Sequence, residues 1–211
     1  EVDAGPLLRI WLESRPEVDR VLLSPELRPL PEHPSLARGS AAAPDGPQWN
    51  LSVIGAPQVW DEFGARGGGI IIGQSDSGVE GTHPELRAQY RGAQPDGPPG
   101  DDYNWYDPWN ASPSPTDIGG HGTHTLGSVL GRSVGVAPDA SWMGCVNLAR
   151  NLGNAPRYLD CLQFLLAPFP QSGDPFDGRP ELGANVLNNS WGCPAIEGCD
   201  PTSLLPAARA L

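Results

Sequence analysis

The residues best suited to chemistry lie in segment 119–127, which reads GGHGTHTLG. Its His121 stands where a glycine-rich loop leads into a helical pattern over residues 123–130. The flanking glycines leave open space around the imidazole and let the backbone approach closely. This setting predicts that His121 is a general base in the first turn of a helix. Two other interpretations stay open, a zinc site that uses the His-x-x-His spacing to His124, or a chance pair of histidines in a glycine-rich loop.

A second segment supplies a partner for this histidine. Residues 69–75 (GIIIGQS) form a short apolar run, a pattern typical of a strand buried on both faces of a parallel sheet. The run leads into Asp76, and open α/β sheets place their sites at the carboxyl ends of such strands. An ionised Asp76 there would accept the Nδ1–H of His121 and fix its tautomer. The alternative is that Asp76, in Asp-Ser-Gly, is a turn residue.

With these residues identified, the sequence resembles the subtilisin-like serine proteases, or subtilases. That family carries Asp-Ser/Thr-Gly after a strand and then His-Gly-Thr-His at the start of a helix, and this chain has both motifs in that order. Two further segments are similar to the family, THPEL at 82–86 and NNSWG at 188–192. The resemblance covers roughly residues 47–211.

Within the family, the bacillopeptidase F branch is the most similar. The similarity lies in YNW at 103–105, in SPSP at 112–115, and in the Trp-Gly-Cys that ends the later strand. The alternation of strands and helices favours an α/β fold. The resemblance implies a three-layer sandwich around a mostly parallel sheet (subtilisin-like), truncated here before its C-terminal strands.

The resemblance also implies a function, that of a serine-type endopeptidase with an Asp/His/Ser triad. Asp76 and His121 would be catalytic, and the segment Ser190, Trp191 and Gly192 would bind the backbone of a polypeptide substrate. The family's serine segment, Gly-Thr-Ser-Met-Ala, does not occur in the sequence. We therefore expect a fragment that lacks its nucleophile and is inactive alone, with the remaining C-terminal part of the catalytic domain as a partner.

Two rival functions belong to other classes. One is a non-catalytic peptide-binding fragment or pseudoprotease that keeps the groove without the nucleophile. The other is a hydrolase in which Asp76, His121 and His124 bind zinc. Under the endopeptidase hypothesis no cofactor takes part in the chemistry.

The N-terminal residues suggest a separate segment. Residues 7–12 predict a short helix and residues 18–23 (VDRVLL) a strand, which together are similar to the end of a subtilase inhibitor propeptide. An N-terminal extension of the protease domain is the alternative. We assign residues 1–30 to this propeptide-like segment, 31–46 to a Pro/Ala-rich linker, and 47–211 to the N-terminal portion of the catalytic domain.

Composition limits the partners and the setting. The chain has 211 residues and a formal net charge of −12, which makes nucleic acid an unfavourable partner and provides no polybasic patch for a membrane. No run of about 20 apolar residues predicts a transmembrane helix. We expect a secreted, extracellular protein whose export signal would precede Glu1, since the first residues do not form a signal peptide.

Four cysteines lie in two neighbouring pairs. In an exported chain the pairs predict the disulfides Cys145–Cys161 and Cys193–Cys199. A four-cysteine zinc site is the alternative, although no Cys-x-x-Cys pair supports it. A structural calcium ion is possible in the acid-rich loop 93–118, as subtilases often hold calcium, but solvated turn residues explain these acids as well.

Overall fold

The computed structural model describes residues 4–22, 44–94, 97, 100–149, 152–192, 202 and 204–210. Its helices and strands are α1 (Pro6–Glu13), α2 (Trp49–Val53), α3 (Ala56–Phe63), β1 (Ile71–Asp76), β2 (Trp105–Tyr106), α4 (His121–Leu130), β3 (Ser141–Val146), α5 (Ala155–Leu166), β4 (Val186–Asn189) and α6 (Leu205–Ala210). Single 3₁₀ turns lie at Arg87–Gln89, Pro175–Asp177 and Pro180–Leu182.

The strands of the described residues form one parallel sheet in the order β2-β3-β1-β4. The central strand β1 pairs with β3 from Ile71↔Ser141 to Asp76↔Val146. On its other side it pairs with β4, which lies at the edge of the sheet. Parallel neighbours need crossover connections that run over a face of the sheet, and α4 and α5 are those connections.

The two helices bury apolar side chains on opposite faces of the sheet. Leu126 and Leu130 of α4 belong to one core cluster with Trp142 of β3. Cys161 of α5 belongs to a second cluster with Met143, the next residue of β3. Because side chains of adjacent strand residues point to opposite faces, the helices form outer layers on either side of the sheet. The predicted three-layer α/β sandwich around a parallel sheet is confirmed.

The sequence of helix α5 determines where the helix begins and which of its faces packs on the sheet. The side chain of Asn154 accepts a hydrogen bond from the backbone N–H of Arg157 at 3.0 Å and caps the helix. Tyr158, Cys161 and Leu165 recur on one face and are buried against the sheet. The cap fixes where the helix begins, and the apolar face fixes which side of it packs on the sheet.

The N-terminal region agrees with the sequence only in part. The predicted helix is present as α1, which has no buried residue. The predicted strand at 18–23 is wrong over residues 18–22, which are irregular, because no neighbouring described strand offers the backbone pairing that a β-strand needs. Most of the predicted linker 31–46 lies outside the described residues. The domain boundaries therefore stay predictions.

No helix in the described part of the chain is both long enough and apolar enough to cross a bilayer.

Candidate active site

Asp76 is the last residue of β1 and is completely buried. Its Oδ1 accepts a hydrogen bond from the backbone N–H of Ser77 at 2.6 Å. A buried carboxylate needs several such donors to remain stable in its ionised form. Asp76 thus lies at the carboxyl end of the central strand, which is where parallel α/β sheets place their reactive groups.

His121 is the first residue of α4, and its Nδ1 lies 2.7 Å from Oδ1 of Asp76. Gly120 immediately before it has φ 73°, a left-handed conformation that glycine adopts without strain and that turns the loop into the helix. Since the carboxylate can only accept, Nδ1 of His121 carries the proton and Nε2 is left as the basic nitrogen. The side chain is 42% exposed, so that a reacting group can reach the ring.

Asp117 fastens the loop in front of His121 and was not recognised in the sequence. Its Oδ1 accepts hydrogen bonds from Ser77 Oγ (2.9 Å), Gly119 N (3.1 Å) and Gly120 N (2.8 Å). Its Oδ2 accepts from both the backbone N–H and the hydroxyl of Thr123, at 2.9 and 2.6 Å. A carboxylate here satisfies free N–H groups at the start of α4 and interacts favourably with the helix dipole.

The predicted substrate-binding residues follow β4 directly. Ser190 and Gly192 are exposed, while Trp191 is half-buried. The indole Nε1–H of Trp191 donates to the carbonyl oxygen of Ser75 at 2.9 Å, and the ring stacks on Tyr158 with centroids 3.9 Å apart. Trp191 thus packs against β1 one residue before Asp76. The structure brings the substrate-binding candidates and the Asp76–His121 pair to the same end of the sheet.

His124 lines a cavity of about 540 Å³ together with His83 and Glu85. Among the described residues, no group of three or more His, Cys, Asp or Glu side chains could hold a metal ion. The arrangement therefore offers no support for zinc bound by Asp76, His121 and His124.

The acidic residues of the long loop bind protein donors. Asp101 accepts from Tyr90 and from Ser114, at 2.8 and 2.7 Å. Asp107 is buried and accepts four hydrogen bonds from Trp109, Ala111 and Ser112. These carboxylates hold the loop together through hydrogen bonds, and the calcium ion suggested by the family resemblance stays a prediction.

One of the two predicted disulfides falls within the described residues. Cys145 of β3 and Cys161 of α5 are bonded, with Cα atoms 5.4 Å apart, which is within the usual range. The bridge ties the sheet to the helix that carries Tyr158. Cys193 and Cys199 lie outside the described residues, and their pairing stays a prediction.

Known families, individual sequences and solved structures include proteins similar to this chain. The model of the Subtilase family (Peptidase_S8) matches residues 67–206. Bacillopeptidase F of Bacillus subtilis (strain 168) is 36% identical over 190 residues, 84% of this chain and 13% of that protein. Fervidolysin of Fervidobacterium pennivorans is 32% identical over 155 residues, 68% of this chain and 19% of that protein.

A cold adapted subtilisin-like serine proteinase of known crystal structure also matches, with a TM-score of 0.48 and 23% identity over 69% of this chain and 43% of that chain. The chain spans less than a fifth of the length of the two curated relatives above. The family match covers Asp76, His121 and the segment from Ser190 to Gly192 together. This chain belongs to the subtilase family.

Proposed function

We propose that the chain supplies the Asp–His pair of a serine endopeptidase. The observation that carries this proposal is the 2.7 Å hydrogen bond between Nδ1 of His121 and the buried carboxylate of Asp76. In the reaction, Nε2 of His121 takes the proton of the serine nucleophile and later returns it to the leaving amine. Asp76 holds the ring in the required tautomer and stabilises the imidazolium.

Ser190, Trp191 and Gly192 bind the backbone of the polypeptide substrate. They continue from β4 at the edge of the described sheet, and an extended peptide can pair with such a segment through main-chain hydrogen bonds. The contact of Trp191 with Ser75 supports this role because it fixes the segment beside the catalytic strand.

The serine is supplied by a segment outside the 211 residues. Two observations support this: the sequence contains no Gly-Thr-Ser-Met-Ala motif, and the relatives are much longer than the matched part. That segment is therefore a partner of this chain, and the chemistry itself uses no cofactor. The Cys145–Cys161 bridge further supports a secreted protein, since disulfides persist in oxidising compartments.

The test compares the 211-residue chain with the longer natural reading frame, using a fluorophosphonate label and digestion of casein. We expect one labelled serine in the longer protein and none in the 211-residue chain. Asp76→Asn and His121→Ala in the longer protein should lower kcat by on the order of 10⁴-fold or more. Full labelling and activity of a folded His121→Ala variant would falsify the proposal.

A folded longer protein that binds peptides without being labelled would instead identify a peptide-binding module, the rival function. Labelling of a serine within the 211-residue chain would show that a residue such as Ser190 is the nucleophile, which contradicts the role proposed for it.

A further inference from the structure

The side chain of Gln74 is fully buried in the middle of the sheet, two residues before Asp76. Its Nε2 donates to the carbonyl oxygen of Gly122 at 3.1 Å and to Oγ1 of Thr125 at 2.9 Å, both in α4. Its Oε1 accepts from Nδ2 of Asn188 in β4 at 2.8 Å. One amide in β1 therefore bonds the helix that carries His121 and also the strand that leads to Ser190.

The direction of these hydrogen bonds follows from the chemistry of the groups. The carbonyl of Gly122 can only accept, so the NH₂ of Gln74 must face α4 and its oxygen must face β4. Asn188 must then present its own NH₂ to Gln74. Its remaining oxygen, Oδ1, accepts from the hydroxyl of Ser190 at 3.2 Å.

At the other end, the hydroxyl of Thr125 connects Gln74 to Asp76. Oγ1 accepts from Gln74 and lies 3.3 Å from Oδ2 of Asp76 and 3.1 Å from the carbonyl of Gly122. The Gly122 carbonyl already receives the Gln74 amide, and the carboxylate is the charged and stronger acceptor. The Thr125 proton is therefore directed to Oδ2, while Oδ1 receives the imidazole of His121.

We propose that Gln74 is a positioning residue for the reaction. The inference rests on the proposed function, because it concerns the same pair and the same substrate segment. The hydrogen bonds form one continuous path from the substrate segment to the catalytic pair, through Ser190, Asn188, Gln74, Thr125, Asp76 and His121. Since both polar atoms of the buried Gln74 amide have partners, the path ties α4 and β4 to the same residue of β1.

The first test uses the 211-residue chain and the Nδ1 proton of His121, observed by NMR in histidine-labelled protein. Gln74→Met keeps most of the volume and removes all three hydrogen bonds. We expect the Nδ1 proton signal to move and its exchange with water to become about fivefold faster or more, the equivalent of one lost hydrogen bond.

Gln89→Met is the matched control. Gln89 is also buried, and its Nε2 donates to the carbonyl oxygens of Leu130, at the far end of α4, and of Pro138. It touches neither Asp76 nor His121, so the Nδ1 signal should stay at its original position. If Gln74→Met and Gln89→Met reduce stability alike and both leave the signal unchanged, Gln74 has a structural role only and the inference is wrong.

Asn188→Ala provides a second variant if Gln74→Met does not fold. Asn188 is half-buried, and its side chain is linked to His121 through the proposed path, so a moved Nδ1 signal supports the path and an unchanged signal refutes it. In the longer protein, Gln74→Met should lower kcat more than it raises KM. Absence of activity in every longer protein would refute the proposed function, while the NMR result still decides the role of Gln74.

Discussion

A Cβ atom placed on Gly122 would lie 2.9 Å from the Cβ of Asp76, and closer still to the carbonyl oxygen of Gly78. The backbone that follows His121 therefore packs directly against the end of β1. This approach brings the imidazole within hydrogen-bond reach of the carboxylate. The glycine that follows the histidine is therefore required by the close packing of α4 on the strand.

Replacement of this glycine should separate the catalytic pair. In Gly122→Ala the new methyl group meets the backbone carbonyl oxygen of Gly78, which cannot move aside as a flexible side chain could. We expect the free energy of unfolding to fall by about 1–3 kcal/mol and the Nδ1 proton signal of His121 to be lost. Urea denaturation and proton NMR measure the two effects.

Gly127→Ala in the same helix is the control. A Cβ there has no neighbouring atom within 4 Å, so alanine should leave stability unchanged or raise it by up to about 1 kcal/mol. Equal behaviour of the two variants would show that the packing of Gly122 does not hold the pair together.

Asp117 should contribute to stability through the start of α4. Asp117→Asn keeps the shape, but it removes the charge and replaces one acceptor oxygen by a donor that faces other N–H groups. Because five hydrogen bonds converge on this carboxylate, we expect a loss of about 1.5–3 kcal/mol in urea denaturation. Asp174→Asn is the comparison, since Asp174 is exposed and, among the described residues, accepts a local side-chain bond from Phe176 N–H. A similar small loss in both variants would contradict the role assigned to Asp117.

The sequence predicted the Asp76–His121 pair because each residue lies at the end of a recognisable local pattern. The run that leads to Asp76 starts with isoleucines that follow a glycine, and α4 begins at His121, inside the GGHG segment. Asp117 could not be found in the same way. Its donors come from Ser77 as well as from residues beside it, and this convergence exists only after the loop has packed on the strand.

The sequence pattern places Gln74 in an apolar strand and assigns it no role. A usable signal was nonetheless present, since a glutamine in a strand buried on both faces must find hydrogen-bond partners. The partners themselves, Thr125 and Asn188, are set by the order of strands in the sheet and by the placement of α4, which local patterns do not encode. The strand expected near residue 20 failed for the same reason, because pairing depends on a distant neighbour.

The disulfide between Cys145 and Cys161 closes a loop with a sequence separation of 16. A loop of this size predicts a stabilisation of about 3 kcal/mol. For a chain of this length, the double variant Cys145→Ala/Cys161→Ala should therefore melt about 6–12 °C lower than the parent. Reductant should lower the melting temperature of the parent by a similar amount. A further shift of the double variant with reductant would reveal a second bridge, which intact mass can assign to Cys193 and Cys199.

Alkaline pH should destabilise the fold through Tyr90. Burial, followed by the hydrogen bond to Asp101, raises the pKa of Tyr90 far above its ordinary value of about 10. A raised pKa means that the folded state keeps the proton that the unfolded chain releases. The protonated Tyr90 therefore contributes its full share to the free energy of unfolding below about pH 10. That share declines as the pH rises further, because the unfolded chain then gives up the tyrosine proton more readily than the folded chain does.

Urea midpoints measured from pH 8 to 11.5 provide the test. The chain contains no lysine, so tyrosines dominate titration in this range, and burial also raises the pKa of Tyr106. Tyr90→Phe should be about 1 kcal/mol less stable at pH 8, where it lacks the bond to Asp101, and should lose less stability between pH 10 and 11.5. An equally steep decline in the variant would assign the alkaline effect to other groups.

Trp191 should hold the substrate segment in place through two separable contacts. Trp191→Phe keeps an aromatic ring against Tyr158 and loses the bond to the carbonyl of Ser75, so we expect a cost of about 1 kcal/mol. Trp191→Ala loses both contacts, and because the side chain is only half-buried its cost should be about 2 kcal/mol, below that of a core tryptophan.

In the longer, active protein both variants should raise KM for peptides more than they lower kcat, since neither touches the Asp76–His121 pair. Trp49→Ala, at a tryptophan that is 77% exposed, should change stability by no more than about 0.5 kcal/mol and leave KM as it was. An unchanged KM in Trp191→Ala would mean that the segment from Ser190 to Gly192 does not bind the substrate, even though it lies at the same end of the sheet as the catalytic pair.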